Sequence, residues 1–162
     1  MAGYNRHLKG KTNPQIVDVR GSSAVEAGDL MYRNTVDNYA HPFNELVTST
    51  AGTARENTLY TNFLGVAMET SPSGVTEKIT IATSGVFRFP LNIASAVTIG
   101  ALVSACSVPG DSGSSAAVVT NNATASAFGT TCYLGYIVKT ESACTYVDFE
   151  LRTAFGPGGS AS

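Results

Sequence analysis

Hydrophobic and polar residues alternate along much of this chain with the two-residue period of half-buried β-strands. The clearest stretch runs from Ile79 to Phe89, where two strand-like runs lie on either side of Ser84-Gly85. Isoleucine alternates with threonine and alanine in the first run, and the second has β-branched and aromatic residues, which pack well in sheets. Ser-Gly allows a bend between the runs. Pro90 has no N–H and is expected to end the pairing, so the stretch predicts two short consecutive strands.

The same order of segments occurs twice along the chain. Each copy has a turn glycine, a strand, a long excursion, an aromatic-Leu-Gly strand, a short charged turn and a final strand. The segments are Ala27–Met31, Phe63–Thr70 and Lys78–Ala82 in the first copy, and Ile99–Val103, Tyr133–Thr140 and Thr145–Leu151 in the second. The offset is 72 residues at the turn glycine (100 − 28) and 70 at the second glycine (135 − 65). Chance similarity is the alternative, but the shared order favours an internal repeat.

Composition fits one mainly β domain. The chain has 162 residues, of which 43% are hydrophobic and 14% charged, so it is not a disordered chain and is long enough for a core. We predict a compact β-barrel or β-sandwich with a pseudo-twofold repeat at residues 21–155 and one short helix at Thr53–Phe63, where Thr53 and Glu56 match a capping box. An extended arm at residues 1–20 precedes it, and a flexible Gly/Ser tail at residues 156–162 follows.

Charge is distributed unevenly between the predicted arm and the body. Residues 1–20 carry four basic and one acidic side chain, a net +3, whereas residues 21–162 carry six basic and eleven acidic ones, a net −5. The basic residues of the arm are Arg6, Lys9, Lys11 and Arg20. This asymmetry predicts that the arm docks on an acidic partner, and a solvated terminus is the alternative. The overall charge of −2 argues against nucleic-acid binding.

One motif, Gly110-Asp111-Ser112-Gly113, matches the nucleophile segment of chymotrypsin-like proteases. A serine nucleophile needs a histidine base and an acid that orients it. His41 is the one candidate base outside the arm, and no aspartate lies between residues 42 and 110. We therefore predict no catalytic site. The sequence shows no phosphate-binding loop and no metal-ligand spacing, so we expect no cofactor and no metal.

The cysteines and the N-terminus bear on the compartment. Cys106, Cys132 and Cys144 form no C-x-x-C pair. Cys132 and Cys144 could face each other across a hairpin, and free buried thiols in a reducing compartment are the favoured interpretation. The first residues lack the apolar centre of a signal peptide, and no apolar run approaches the ~20 residues that span a bilayer. The sequence predicts synthesis in the cytoplasm and no membrane contact.

Five short glycine-containing segments follow one another along the chain: Ala27–Met31, Phe63–Ala67, Gly85–Phe89, Val97–Val103 and Leu134–Val138. In this order they resemble the phage capsid cement or decoration proteins of the DUF2190-like kind, over residues 25–153. The resemblance implies a small β-rich protein on the outer surface of an icosahedral phage head. Such proteins clamp neighbouring major capsid subunits, commonly as homotrimers, and they are not enzymes. The expected location is the virion, after synthesis in the host cytoplasm.

This resemblance gives roles to two parts of the chain. The basic residues Arg6, Lys9, Lys11 and Arg20 are expected to lie along an acidic coat surface, and the segment with Ile16, Val17 and Val19 is a candidate for strand addition to a sheet edge. Oligomer contacts are expected in the excursion from Thr35 to Asn62, through Phe43, Leu46 and Leu59, because excursions of this length are commonly functional.

Two other functions stay open. The chain could be a virion surface module that recognises a host glycan or belongs to the tail, since its long Ser/Thr/Asn-rich excursions suit such binding. The third function is a small chymotrypsin-like serine protease that uses Ser112.

The predicted oligomer interface is testable with Leu46→Asp. A charge left unpaired in a buried contact costs about 3 kcal/mol or more, so we expect the variant to shift from oligomer to monomer in native mass spectrometry. An unchanged oligomer mass would remove Leu46 from the interface.

Overall fold

The computed structural model describes residues 6–43, 45, 62–106, 117–120, 134–151 and 153. This part of the chain is mainly β and forms two antiparallel sheets without a closed barrel. In chain order the strands are β1 (Arg6–Lys9), β2 (Pro14–Asp18), β3 (Leu30–Arg33), β4 (Ala40–Pro42), β5 (Phe63–Ala67), β6 (Lys78–Ala82), β7 (Val86–Val97), β8 (Leu102–Cys106), β9 (Ala117–Thr120), β10 (Gly135–Ile137) and β11 (Glu141–Leu151). The predicted fold class, a β-sandwich-like domain, is confirmed.

Strand order shows the internal repeat directly. Sheet B has the order β2-β6-β5-β3-β4, and sheet A has the order β1-β7-β11-β10-β8-β9. Strands β7 to β11 therefore repeat the arrangement of β2 to β6, and β1 is an additional strand outside β7. Strands β2 and β7 also correspond, although the sequence comparison did not include them. Each repeated unit therefore begins one strand earlier than the sequence indicated.

Hydrogen bonds at the turn glycines repeat as well. The N–H of Gly28 donates to the carbonyl of Ala67 at 2.8 Å, and the N–H of Gly100 donates to the carbonyl of Ile137 at 2.9 Å. Both glycines have positive φ, 103° and 84°, a region that is costly for residues with a Cβ. The same backbone turn thus starts the second strand of each unit.

The Leu-Gly motif is required by the close approach of two strands. A Cβ on Gly65 would lie 2.1 Å from the carbonyl oxygen of Ala82, and a Cβ on Gly135 would lie 1.9 Å from that of Glu150. No side chain fits at these distances. The glycine therefore sets the spacing between β5 and β6 in one unit and between β10 and β11 in the other.

Two hydrophobic cores fill the domain. The shared core contains residues of both sheets: Leu30, Tyr32, Phe43, Phe63, Val66, Ala82, Phe87, Phe89, Val103, Leu134, Ile137, Val147, Phe149 and Leu151. The second core lies on the other face of sheet B: Val19, Val25, Met31, Ala40, Ala67, Ile79 and Ile81, with Val17 and Leu64 packed against it.

Equivalent faces of the two sheets do not meet each other. Val17 pairs with Ile79 in sheet B, and the corresponding pair in sheet A is Phe89 with Val147. The first pair packs in the second core, whereas the second pair packs in the shared core. The repeat thus holds for strand order and register but not for the face that is buried in the shared core. Sheet B contributes to that core the face opposite to the one equivalent to the core face of sheet A.

Three local expectations are corrected or lie outside the structure. Pro90 does not end pairing, since β7 continues to Val97. Pro90 lies where the β7–β11 register becomes irregular, and a missing N–H is tolerated at such a place. The predicted helix at Thr53–Phe63 lies outside the described residues except at its end, where Phe63 begins β5. The 156–162 tail and the domain end at residue 155 also lie outside them.

The steric account of the Leu-Gly motif predicts a large cost for Gly135→Ala. Its Cβ would meet backbone on β11, so we expect a loss of about 3 kcal/mol in the free energy of unfolding. Gly74→Ala is the control, because nothing lies within 4 Å of its Cβ and only the positive φ of 102° opposes it, which costs about 1 kcal/mol. Urea unfolding measures both, and equal losses would contradict the account.

Candidate functional site

The N-terminal segment belongs to both sheets. Strand β1 pairs with β7 of sheet A, and β2 pairs with β6 of sheet B. Between them, the carbonyl of Thr12 accepts from the N–H groups of Thr83 and Ser84, and the Thr83 hydroxyl donates to the carbonyl of Asn13 at 2.7 Å. The segment is therefore bonded into both sheets, and β1 is a paired edge strand. Its sequence, Arg-His-Leu-Lys, hides the strand because an edge strand needs no apolar alternation.

The four basic residues of this segment have different surroundings. Lys9 and Lys11 are exposed near the connection between β1 and β2. Arg6 lies opposite Arg88 in the β1–β7 register. The guanidinium of Arg20 is 3.7 Å from the Asp37 carboxylate, an ion pair within the chain. Of the predicted coat-binding cations with described side chains, Lys9 and Lys11 thus present their charge to solvent.

The three predicted apolar contact residues also differ. Ile16 is 71% exposed, whereas Val19 is fully buried and Val17 packs against the second core. Alternation along β2 explains this difference, since neighbouring side chains point to opposite faces. Ile16 is therefore the residue of this group that is available to a partner.

Met68 adds a residue that the sequence analysis did not select. Ile16 lies opposite Thr80 in the β2–β6 register, and the carbonyl of Thr80 accepts from the N–H of Met68 at 2.9 Å. The three residues form a row across sheet B, which we call the exposed row, and Met68 is 42% exposed. The available sequence signal was that Met68 continues the face of Val66 past the end of β5.

The predicted oligomer residues divide between core and undescribed segments. Phe43 is buried in the shared core, so its side chain is already covered by this chain and is removed from the interface candidates. It is buried because it continues the face of His41 on β4. Leu46 and Leu59 lie outside the described residues.

His41 is held between two carboxylates. Its Nδ1 is 2.6 Å from a Glu45 carboxylate oxygen and its Nε2 is 3.0 Å from an Asp37 carboxylate oxygen, while its ring, only 2% exposed, lies 5.8 Å from that of Tyr32. In this arrangement His41 connects the β3–β4 hairpin to Glu45.

Acid–base properties of this cluster follow from burial and charge. Burial raises the pKa of the Asp37 carboxyl, but the Tyr39 N–H, the His41 ring and Arg20 outweigh it, so the pKa lies below its ordinary value. Burial, with help from the Glu45 and Asp37 charges, raises the pKa of Tyr32 to about 12. Asp37 is therefore a carboxylate, and Tyr32 is neutral, across the physiological range.

A second ion pair corrects an expectation about sheet A. Asp148 alternates with the apolar residues Val147 and Phe149, a pattern that predicts a solvated position, as it does for Arg88, but Asp148 is only 8% exposed. Arg88 donates to both carboxylate oxygens, at 2.7 and 2.8 Å, and its guanidinium carbon is 4.2 Å from the centre of the Tyr146 ring. The pair is a cross-strand contact of β7 and β11, and the aromatic ring covers it.

Several candidate groups lie beyond the structure. Gly110–Gly113, with Ser112, and Cys132 are outside the described residues. Among the described residues, no group of three or more His, Cys, Asp or Glu side chains is placed to hold a metal ion. No helix in this part of the chain is long and apolar enough to cross a membrane.

Comparison with known proteins adds no relative. No protein-family model matches the chain, and no curated protein matches it. Clues to the function therefore come from the fold, the surface of the N-terminal segment and the motif resemblance over residues 25–153.

The lowered pKa of Asp37 predicts a pH-dependent effect of Asp37→Asn. A depressed carboxyl pKa stabilises the fold above the ordinary value of 3.8, and this contribution is lost as pH falls through the lowered pKa. We expect the variant to be less stable by about 1 kcal/mol at pH 7, with the difference closing below about pH 4. Thermal unfolding against pH measures it.

Asp18→Asn is the matched control, because Asp18 is largely exposed and 3.7 Å from Lys78. Such surface pairs contribute little. A difference for Asp37→Asn that stayed constant down to pH 2 would contradict the assignment.

Proposed function

We propose that this chain is a structural virion protein that binds the outer surface of an icosahedral phage head and stabilises contacts between major capsid subunits. The observation that carries the proposal is the agreement between the family-like motifs and the repeated unit. Gly28 and Gly100 precede equivalent strands, and Gly65 and Gly135 lie at equivalent close approaches of two neighbouring strands. The motifs that resemble cement proteins are thus the positions that define this fold.

The surface of the N-terminal segment supports attachment to a coat lattice. Ile16 and Met68 expose apolar area in one row, and Lys9 and Lys11 add positive charge near the start of β2. Each contact is modest alone. On a repeating lattice many such contacts add, particularly if the chain binds as a homotrimer at a three-fold position.

Sedimentation with heads that lack the chain tests the proposal. Purified chain is mixed with such heads and pelleted, and we expect saturable binding at a fixed ratio to the major capsid protein. That ratio also tests the homotrimer. Binding at no concentration, with the chain remaining in solution, would reject the proposal and favour a tail or glycan-binding role.

Charge-neutralising variants refine this experiment without removing a strand. Deletion of residues 1–20 would remove both β1 and β2, so we prefer Lys9→Gln with Lys11→Gln. Loss of two exposed charges at an acidic coat surface should weaken binding roughly 2–5-fold, with less salt dependence. Lys139→Gln is the control, since Lys139 pairs with Glu141 elsewhere on the chain. Equal effects of both would place the coat contact outside the N-terminal segment.

A further inference from the structure

Two strands form the outer edge on the N-terminal side of the two sheets. β1 ends sheet A, and β2 ends sheet B within the described residues. β1 carries a register shift between His7 and Lys9 and is rich in positive charge, features that protect an edge from pairing. β2 has an unbroken register with β6 from Pro14 to Asp18 and carries the exposed Ile16. Of the two, β2 is the edge suited to accept another strand.

The hydrogen-bond phase of β2 identifies its outward backbone groups. The N–H of Val19 donates to the carbonyl of Glu77 at 2.8 Å. Inward bonding alternates along an antiparallel strand, so Val17 also bonds inward to β6. The N–H and C=O of Ile16 and the N–H of Asp18 then point away from β6, toward the open edge.

The repeat shows what occupies the equivalent edge in the other unit. β2 corresponds to β7, and the register places Ile16 at the position of Arg88. In sheet A that edge is filled by β1, which runs antiparallel to β7 with Arg6 opposite Arg88. In sheet B the corresponding place beside Ile16 has no strand from the described chain. Within the described residues, the same strand position therefore occurs twice, once filled by β1 and once without a strand.

Both ends of the open slot are defined. Pro14 stands at one end of β2, and at the other end Val19 forms a parallel bridge with Ala40 of β4. Between them lie the few residues of β2, about the length of β1. The slot is thus sized for a short extended segment.

Side chains around the slot indicate the chemistry of its occupant. Ile16, on β2 itself, offers exposed apolar area. Asp18, two residues further along β2 and on the same face, offers an exposed carboxylate 3.7 Å from Lys78. Met68 and Glu69 follow β5, two strands away from the slot. An occupant with an apolar side chain beside Ile16 and a basic side chain beside Asp18 would complement both residues.

We propose that the open edge of β2 takes up an extended segment of a major capsid subunit, which adds as an antiparallel strand beside Ile16. The segment places an apolar side chain beside Ile16 and a basic side chain beside Asp18. This inference rests on the proposed function, because it names the coat as the source of the strand. It assigns the chain the accepting edge, where backbone hydrogen bonds provide affinity and the side chains of Ile16 and Asp18 provide selectivity.

A pair of substitutions at one position tests the backbone bond separately from the side chain. Ile16→Pro removes the outward N–H and leaves the inward bonds of Val17 and Gln15 to β6 intact. Ile16→Ala keeps that N–H and shortens the side chain. We expect Ile16→Pro to bind heads roughly tenfold more weakly than Ile16→Ala, the loss that one backbone hydrogen bond with its unpaired partner entails. Thermal unfolding of both variants confirms that each is folded.

Hydrogen exchange of the wild-type chain gives a second measurement that needs no variant. On binding to heads, the amides of Ile16 and Asp18 should become protected, while those of Gln15 and Val17 are already protected in the unbound chain. If the chain does not bind heads, the proposed function fails. If it binds but Ile16 stays unprotected, and Ile16→Pro binds as well as Ile16→Ala, strand addition is wrong and the proposed function stands.

Discussion

The contact between a glycine and a neighbouring strand carbonyl sets the geometry of both halves of this protein. Gly65 and Gly135 let β6 and β11 approach so closely that a methyl group would overlap a backbone oxygen. That spacing fixes the register of the central strands in each unit, and the register decides which side chains face which core. Both sheets therefore need these glycines in order to bury the correct side chains. The aromatic and aliphatic residues around the glycines fill the space beside the closely spaced strands.

The N-terminal segment makes the two units unequal. It completes sheet A with β1 and forms the edge of sheet B with β2, and its connection is bonded to the turn between β6 and β7. Within the described residues, one edge is thereby filled and the equivalent edge beside Ile16 has no strand. In the proposed function, this unfilled strand position is where a coat subunit attaches. The basic charge at Lys9 and Lys11 lies in the same segment, close to that edge.

Sequence patterns predicted the features that depend on local constraints. Turn glycines, the Leu-Gly motif and two-residue alternation predicted the mainly β fold and the repeat, because each reflects backbone geometry within a few residues. Long-range pairing was not accessible in the same way: Arg6–Lys9 has no strand pattern of its own and becomes a strand because β7 offers an edge. The burial of Asp148 was missed for the same reason, since Arg88 and Tyr146 cover it from positions that only the sheet brings together. For the candidate site, the sequence selected Ile16 and the exposed lysines, whereas Met68 required the register of β5 with β6.

The central claim is that this chain is held on the outside of a phage head by its N-terminal surface. Its most direct test is an image reconstruction, by electron cryomicroscopy, of heads that lack the chain, before and after its addition. The account predicts new density on the outer surface, fitted by the two sheets, with the β2 edge and the exposed row against a major capsid subunit. Heads that bind the chain with this edge facing solvent, or that show no added density at saturating concentration, would contradict it.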